Sequence, residues 1–157
     1  MERISFHALK ASLALLLVTT AVAAEAAPKM TAGSVRYRYF RLAPSFREVG
    51  LAKYERISVE GRGSSTATYM CLRDPRIRKT VTSKVHTLKR FRADRRGRLR
   101  GTLELYPPMP QGLRCPDGQS MVLVEVVYTG VTVRDTKHRK ELRFANTYRW
   151  RSPRFKS

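Results

Sequence analysis

Apolar and polar residues alternate with a period of two along most of the chain beyond residue 27. In the segment 77–88, Ile77, Val81 and Val85 share one parity, whereas the other parity holds basic and hydroxyl side chains. This period places successive side chains on opposite faces of a β-strand. Helical periodicity is nearly absent. The pattern predicts seven strands, at 34–40, 54–60, 66–72, 77–88, 99–106, 120–135 and 140–149.

Turn-forming residues separate these strands. The run Gly61–Ser65 predicts a flexible turn. The run 92–98, which contains Gly97, predicts the tip of a hairpin that spans 77–106. Apolar residues change parity at Gly130, and this change predicts a β-bulge.

Short strands, frequent turns and the lack of a helical pattern predict an all-β fold. We expect a single small antiparallel β-sandwich of immunoglobulin-like architecture, with about seven strands and one disulfide. A small β-barrel is the alternative. Only 42–53 could hold a short helical turn. Residues 27–157 are expected to form one basic β domain that ends in a frayed cationic tail at 151–157.

The start of the chain has the order of a secretory signal peptide. Arg3 and Lys10 precede an apolar run, and small residues follow it. The run is shorter than the roughly 20 residues that a spanning helix needs. The sequence therefore predicts a signal peptide over 1–26, cleaved between Ala23 and Ala27. No later stretch predicts a transmembrane segment, so we expect a secreted or periplasmic protein.

Two cysteines, Cys71 and Cys115, remain after the predicted cleavage. An even number of cysteines in an exported chain predicts a disulfide. In the chain-entropy description, closing a loop of this length stabilises the fold by about 4 kcal/mol. The cysteines lack further ligands at the spacing of a zinc site, so no metal and no other cofactor is expected.

The chain carries a formal net charge of +20. Such a charge attracts an acidic polysaccharide, a nucleic acid or an anionic surface. The segment Arg73–Arg100 concentrates 12 Lys and Arg residues against two Asp residues, and guanidinium groups bind sulfate and phosphate through paired hydrogen bonds. The sequence thus predicts a secreted binding module for a polyanion. Its predicted contact residues are Arg73, Arg76, Arg78, Lys84, Lys89, Arg90, Arg92, Arg95, Arg96, Arg98, Arg100, Lys137, Arg139 and Lys140.

Two other binding functions are compatible with the same charge. A membrane-active or antimicrobial effector would need apolar anchors beside the cations, and Phe91, Trp150 and Phe155 are the candidates. In a secreted inhibitor, matrix protein or other protein-binding module, the charge would serve solubility.

Catalytic motifs are absent from the sequence, which does not predict an enzyme. The runs G-x-S-x-G, H-E-x-x-H and C-x-x-C do not occur. His86 and His138 are expected to be solvated side chains. Glu104 and Glu125 are a carboxylate pair that antiparallel strands could bring together for glycoside hydrolysis, but surface carboxylates that balance local cations are the simpler interpretation.

Overall fold

The computed structural model describes residues 27–116 and 118–155, so the predicted signal peptide lies outside the described residues. Two antiparallel sheets pack through one core, and the predicted antiparallel β-sandwich is confirmed. The strands are β1 (Lys29–Arg38), β2 (Arg41–Val49), β3 (Arg56–Cys71), β4 (Asp74–Arg92), β5 (Leu99–Thr102), β6 (Met121–Asp135), β7 (Glu141–Phe144) and β8 (Tyr148–Arg151). The order is β1–β2–β5 in the smaller sheet and β4–β3–β6–β7 in the larger, where β8 also pairs with β6.

The core combines the inward-facing residues of both sheets. Phe46 of the smaller sheet and Val59 and Tyr128 of the larger one are almost completely buried. The Tyr128 hydroxyl donates to the Leu105 carbonyl at 3.0 Å, so its one polar group is satisfied inside the core. The predicted disulfide is confirmed: Cys71 at the end of β3 joins Cys115 in the loop before β6.

The prediction for 42–53 was wrong, because most of this segment is the strand β2. Alternate residues of β2 point inward and are buried, and these residues are Leu42, Pro44, Phe46 and Glu48. Pro44 cannot donate a backbone hydrogen bond, but its carbonyl accepts from the Leu103 N–H at 3.1 Å. Burial of this face outweighs the turn propensity of the proline.

The predicted flexible turn at 61–65 was also wrong, because β3 is continuous through it. The strand is paired on both sides, with β4 and with β6, so its backbone groups are satisfied within the sheet. A Cβ atom at Gly61 would lie 3.0 Å from the side chains of both Leu103 and Thr87. The glycine therefore provides room for close packing against the opposite sheet.

The predicted hairpin 77–106 does not form. β4 pairs with β3, whereas β5 crosses to the other sheet and pairs with β2. The turn between them docks onto the loop after β2: the Leu51 N–H donates to the Gly97 carbonyl at 3.1 Å, and the Tyr54 N–H donates to the Asp94 carbonyl at 3.3 Å. Gly97 adopts φ +65°, and a Cβ atom there would meet the Leu51 carbonyl oxygen. This docking directs the chain away from β4.

The bulge predicted at Gly130 is confirmed. Gly130 has φ +58°, and the register between β3 and β6 shifts there. The predicted strand 140–149 is divided into β7 and β8, which pair with β6 on either side of the bulge. The extra residue changes the direction of β6, and the partner strand is interrupted opposite it.

The predicted cationic tail begins at the end of a strand and continues as a short turn as far as residue 155. Arg151 belongs to β8, and Pro153–Phe155 forms a 3-10 turn. The Ser152 N–H donates to the Val124 carbonyl at 2.8 Å, which attaches this turn to the sheet. Within the described residues, no helix has the length and apolar character needed to cross a bilayer.

Candidate functional site

The outer surface of the larger sheet carries many basic side chains. Even-numbered residues of β3 and, from Arg78 onward, of β4 point outward, as the pairs Arg56–Arg92 and Arg62–His86 illustrate, because directly opposed residues share a face. We call this surface the open face. Its basic residues are Arg56, Arg62, Arg78, Lys84, Arg90, Arg92, Arg134, Arg143, Arg149 and Arg151.

Three carboxylates lie on the open face, and each is already paired. Glu60 contacts Arg62 and His86, both at 2.7 Å. Glu125 contacts Arg149 at 3.4 Å and Arg151 at 2.9 Å. Glu141 contacts Arg143 at 2.9 Å. Among the described residues, no carboxylate lies within 4 Å of the remaining basic side chains of this face, which are Arg56, Arg78, Lys84, Arg90, Arg92 and Arg134.

Hydroxyl groups occupy the centre of the open face. Thr66 and Thr82 are hydrogen-bonded side chain to side chain at 2.9 Å, and Thr68 and Thr80 at 3.0 Å. Leu88 is an exposed apolar residue of this surface, with 58% of its area accessible. The outward positions of the described strands in this sheet hold no Phe, Tyr or Trp, and their one aromatic ring is the imidazole of His86, which is bonded to Glu60. The surface can therefore bind an anionic chain through charge and hydrogen bonds rather than through stacking.

The structure distributes the predicted contact residues over several surfaces. Those on the open face are Arg78, Lys84, Arg90 and Arg92. The β3–β4 turn and the start of β4 hold Arg73 and Arg76. The β4–β5 turn holds Arg95, Arg96 and Arg98, and the β6–β7 turn holds Lys137, Arg139 and Lys140. Lys89 and Arg100 line a separate cleft. The predicted residues thus do not form one patch. Sequence analysis also left Arg56, Arg62 and Arg134 of the open face out of the predicted set.

The cleft lies between the β4 edge of the larger sheet and the outer surface of the smaller one, with a volume of about 720 Å³. Gly101 forms part of its floor, where a Cβ atom would come within 2.5 Å of the Phe46 ring. Phe46 and Phe91 pack edge to face beneath it, with centroids 5.3 Å apart. The basic residues of the cleft are Arg38, Arg47, Lys89 and Arg100, and its serine and threonine residues are Ser34, Ser45, Thr87 and Thr102.

Glu104 is the carboxylate in the lining of this cleft. It accepts a hydrogen bond from Arg41 at 3.1 Å and another from Arg38 at 3.4 Å. The bond from Arg41, together with Tyr106 and the nearby guanidinium charges, holds the pKa of Glu104 below its usual range despite partial desolvation. Glu104 and Glu125 lie on the outer surfaces of different sheets, so the glycosidase pair considered above does not form.

A cluster of acidic groups lies beneath the β6–β7 turn. Glu48 and Asp135 are completely buried. His138 was expected to be solvated, but its side chain is only 21% exposed and lies 2.6 Å from Asp135 and 3.2 Å from Glu55. Burial raises the pKa of Glu48 to about 8, and the neighbouring Asp135 carboxylate contributes to this increase to a smaller extent. We call Glu48, Glu55, Asp135 and His138 the carboxylate cluster.

Sequence analysis did not identify the carboxylate cluster as a site. Its members come from β2, the β2–β3 loop, the end of β6 and the turn after it. The local signal was the placement of Glu48 at the inward parity of β2, together with the spacing of Asp135 and His138. The predicted membrane anchors Phe91, Trp150 and Phe155 are partly buried rather than exposed, and the first two pack against the core.

No protein-family model, curated protein or solved structure matches this chain. The functional argument therefore depends on the geometry and charge of the described residues.

Proposed function

We propose that this protein is an exported binding module that holds an acidic polysaccharide across its open face. The observation that carries the proposal is the set of six basic side chains of that face that have no described carboxylate partner. Four of them, Arg78, Lys84, Arg90 and Arg92, lie along the outward side of β4. At the rise of a β-strand they extend over about 45 Å. A row of this length suits a linear polymer better than a compact anion.

The chemistry of the open face favours a polysaccharide over a single-stranded nucleic acid. Proteins that bind single strands stack bases on several aromatic side chains, and the outward strand positions of this face offer no Phe, Tyr or Trp and only the imidazole of His86, which is bonded to Glu60. Arginines bind sulfate or carboxylate groups in pairs of hydrogen bonds, and the threonine hydroxyls add neutral donors and acceptors. These groups match a sugar chain that carries both charges and hydroxyls.

An oxidising compartment is part of the same proposal. The Cys71–Cys115 disulfide is of a kind that persists outside the cytosol, and the signal-peptide pattern of 1–26 supports export. Partial burial of the predicted apolar anchors makes a membrane-active role less suitable than polysaccharide binding.

Salt-dependent binding to heparin tests the proposal. The wild-type protein should be retained on a heparin column well above about 0.2 M salt, because several ion contacts form together. The variant R78Q/K84Q/R90Q/R134Q removes four basic residues of the open face that have no described carboxylate partner. It should elute at clearly lower salt and bind soluble heparin at least about tenfold more weakly, since clustered charge-assisted contacts are lost together.

The control is R36Q/K53Q/R114Q/R154Q, which removes equal charge from exposed positions outside the open-face strands. Its elution should stay closer to that of the wild type. Equal losses in the two variants would mean that net charge alone attracts heparin, and this result would contradict a polysaccharide site on the open face. Tighter binding to double-stranded DNA than to heparin at the same salt would overturn the preference for polysaccharide.

A further inference from the structure

Glu48 is a buried carboxylate with no hydrogen-bond donor in the described structure. Its side chain lies on the inward side of β2 and has 0% of its area exposed. Neither of its two oxygen atoms has a hydrogen-bond partner. An ionised carboxylate that is buried without a donor is among the most costly arrangements in a folded protein. Glu48 must therefore either keep a proton, which the Asp135 carboxylate can accept in a hydrogen bond, or meet a cation. A chain with 32 Lys and Arg residues could have placed a guanidinium against it, so the absence of one requires a physical explanation.

Other metal-ligating atoms surround these oxygens. One ligand atom each from Glu48, Asp135 and His138 lies within 4.8 Å of the other two. Ligand atoms bound about 2.1 Å from one ion lie about 3 to 4 Å apart. A contraction of at most about 1 to 2 Å in these separations would therefore let all three reach a common centre.

The surroundings of His138 also fit a ligand. Its Nδ1 faces Asp135 at 2.6 Å, and its Nε2 lies 3.2 Å from Glu55. A metal-ligating histidine usually donates its second ring N–H to a carboxylate, which fixes the ring orientation. Glu55 is positioned for that role and is itself bonded by Lys137. The partial exposure of the His138 ring leaves a route from solvent to the cluster.

We propose that Glu48, Asp135 and His138 form a binding site for one first-row divalent metal ion of the Zn²⁺ type, oriented by Glu55. One imidazole and two carboxylates suit zinc or its neighbours better than the all-oxygen shells of Mg²⁺ and Ca²⁺. The ion would supply the positive charge that the Glu48 oxygens lack. Lys137 and Lys140 add positive charge nearby, but Lys137 binds Glu55 and neither lysine donates a hydrogen bond to Glu48.

Calorimetric titration of the untagged, chelator-treated protein with ZnCl₂ tests this site. We expect one Zn²⁺ per chain and a thermal midpoint that rises when the metal is added. Loss of a group that only orients a ligand weakens metal binding about 10- to 100-fold. We therefore expect His138→Ala and Glu48→Gln to weaken binding by about 100-fold or more and Glu55→Gln by about 10-fold.

The matched control is His86→Ala, which removes the other described histidine, a surface residue bonded to Glu60 at 2.7 Å. It should leave zinc affinity unchanged. Thermal unfolding in chelator shows which variants fold. If Glu48→Gln does not fold, the zinc affinity of Glu55→Gln still tests the site. The proposal is overturned if millimolar Zn²⁺ gives no one-to-one binding, or if the His86 variant loses binding while the cluster variants keep it. Either outcome leaves heparin binding by the open face unaffected.

Discussion

The open face and the carboxylate cluster hold charges of opposite sign in opposite environments. On the open face, like charges lie side by side on one sheet, and solvent surrounds most of them. In the carboxylate cluster, Glu48 and Asp135 have no exposed area at all. Water and dissolved ions screen exposed charges, so their repulsion costs little. A buried charge has no such screening and depends on the groups that touch it.

The comparison extends to single residues of the same type. Burial would raise the pKa of Glu60, but hydrogen bonds from Arg62 and His86 outweigh it and hold that pKa below its usual value. Burial raises the pKa of Glu48, and no donor opposes it. Two glutamates in adjacent layers therefore have opposite effects on stability as the pH changes. The partner available to each carboxylate, rather than the net charge of the chain, decides whether stability rises or falls as the pH increases.

The largest effect that we expect is the pH dependence contributed by Glu48. In chelator, the native state holds a proton on Glu48 up to a pKa of about 8, compared with 4.5 for the unfolded chain. A raised carboxyl pKa means that stability is fully present below the unfolded pKa and decreases as pH rises through the folded one. The free energy of unfolding should therefore fall by at most about 4 kcal/mol between pH 4.5 and 8.

Denaturant titrations at a series of pH values, for wild type and Glu48→Gln, measure this slope. The variant cannot ionise at residue 48, so its stability should change much less over the same range. Parallel curves for the two proteins would show that Glu48 has an ordinary pKa and would contradict the contrast between Glu48 and Glu60.

Glu60 should show the opposite sign with a smaller magnitude. Its lowered pKa contributes stability that is present above the unfolded value of 4.5 and is lost as pH falls through the folded pKa. Glu60→Gln should cost about 1 kcal/mol at neutral pH, whereas Glu141→Gln, beside the highly exposed Arg143, should cost about 0.3 kcal/mol. Denaturant titration at pH 7 and at pH 3 measures both variants. A Glu60 variant that is as stable as wild type at pH 7 would contradict this expectation.

The sequence was sufficient to predict part of the open face, namely the outward side of β4, but not the rest of that face or the carboxylate cluster, and strand geometry explains why. Alternation along 77–88 fixes which residues share a face, because the side-chain period of a strand is two. The parity change at Gly130 likewise lies within one strand and could be identified locally. The expected export of the chain, together with its two cysteines, predicted the disulfide between Cys71 and Cys115. Each of these features depends on residues that are close in sequence or on the compartment.

The features that were missed depend on which strands become neighbours. Continuity of β3 through Gly61 depends on pairing with both β4 and β6, and the crossing of β5 depends on the docking of Gly97 onto Leu51. Glu48 and Asp135 meet only because the two sheets pack face to face. Local alternation predicts that a residue points inward, but it does not specify what the residue meets there.

The smallest effect that we expect is the response of the open face to salt. Raising NaCl from about 0.05 M to 0.5 M shortens the Debye length from about 14 Å to about 4 Å, which screens repulsion among cations on this face. The wild-type protein should gain from a few tenths to about 1 kcal/mol in free energy of unfolding. The variant R78Q/K84Q/R90Q/R134Q should gain less, and R36Q/K53Q/R114Q/R154Q should respond more like wild type. A salt response that is the same in all three proteins would mean that the cations of the open face repel no more than those elsewhere, and the distinction between this face and the rest of the surface would be lost.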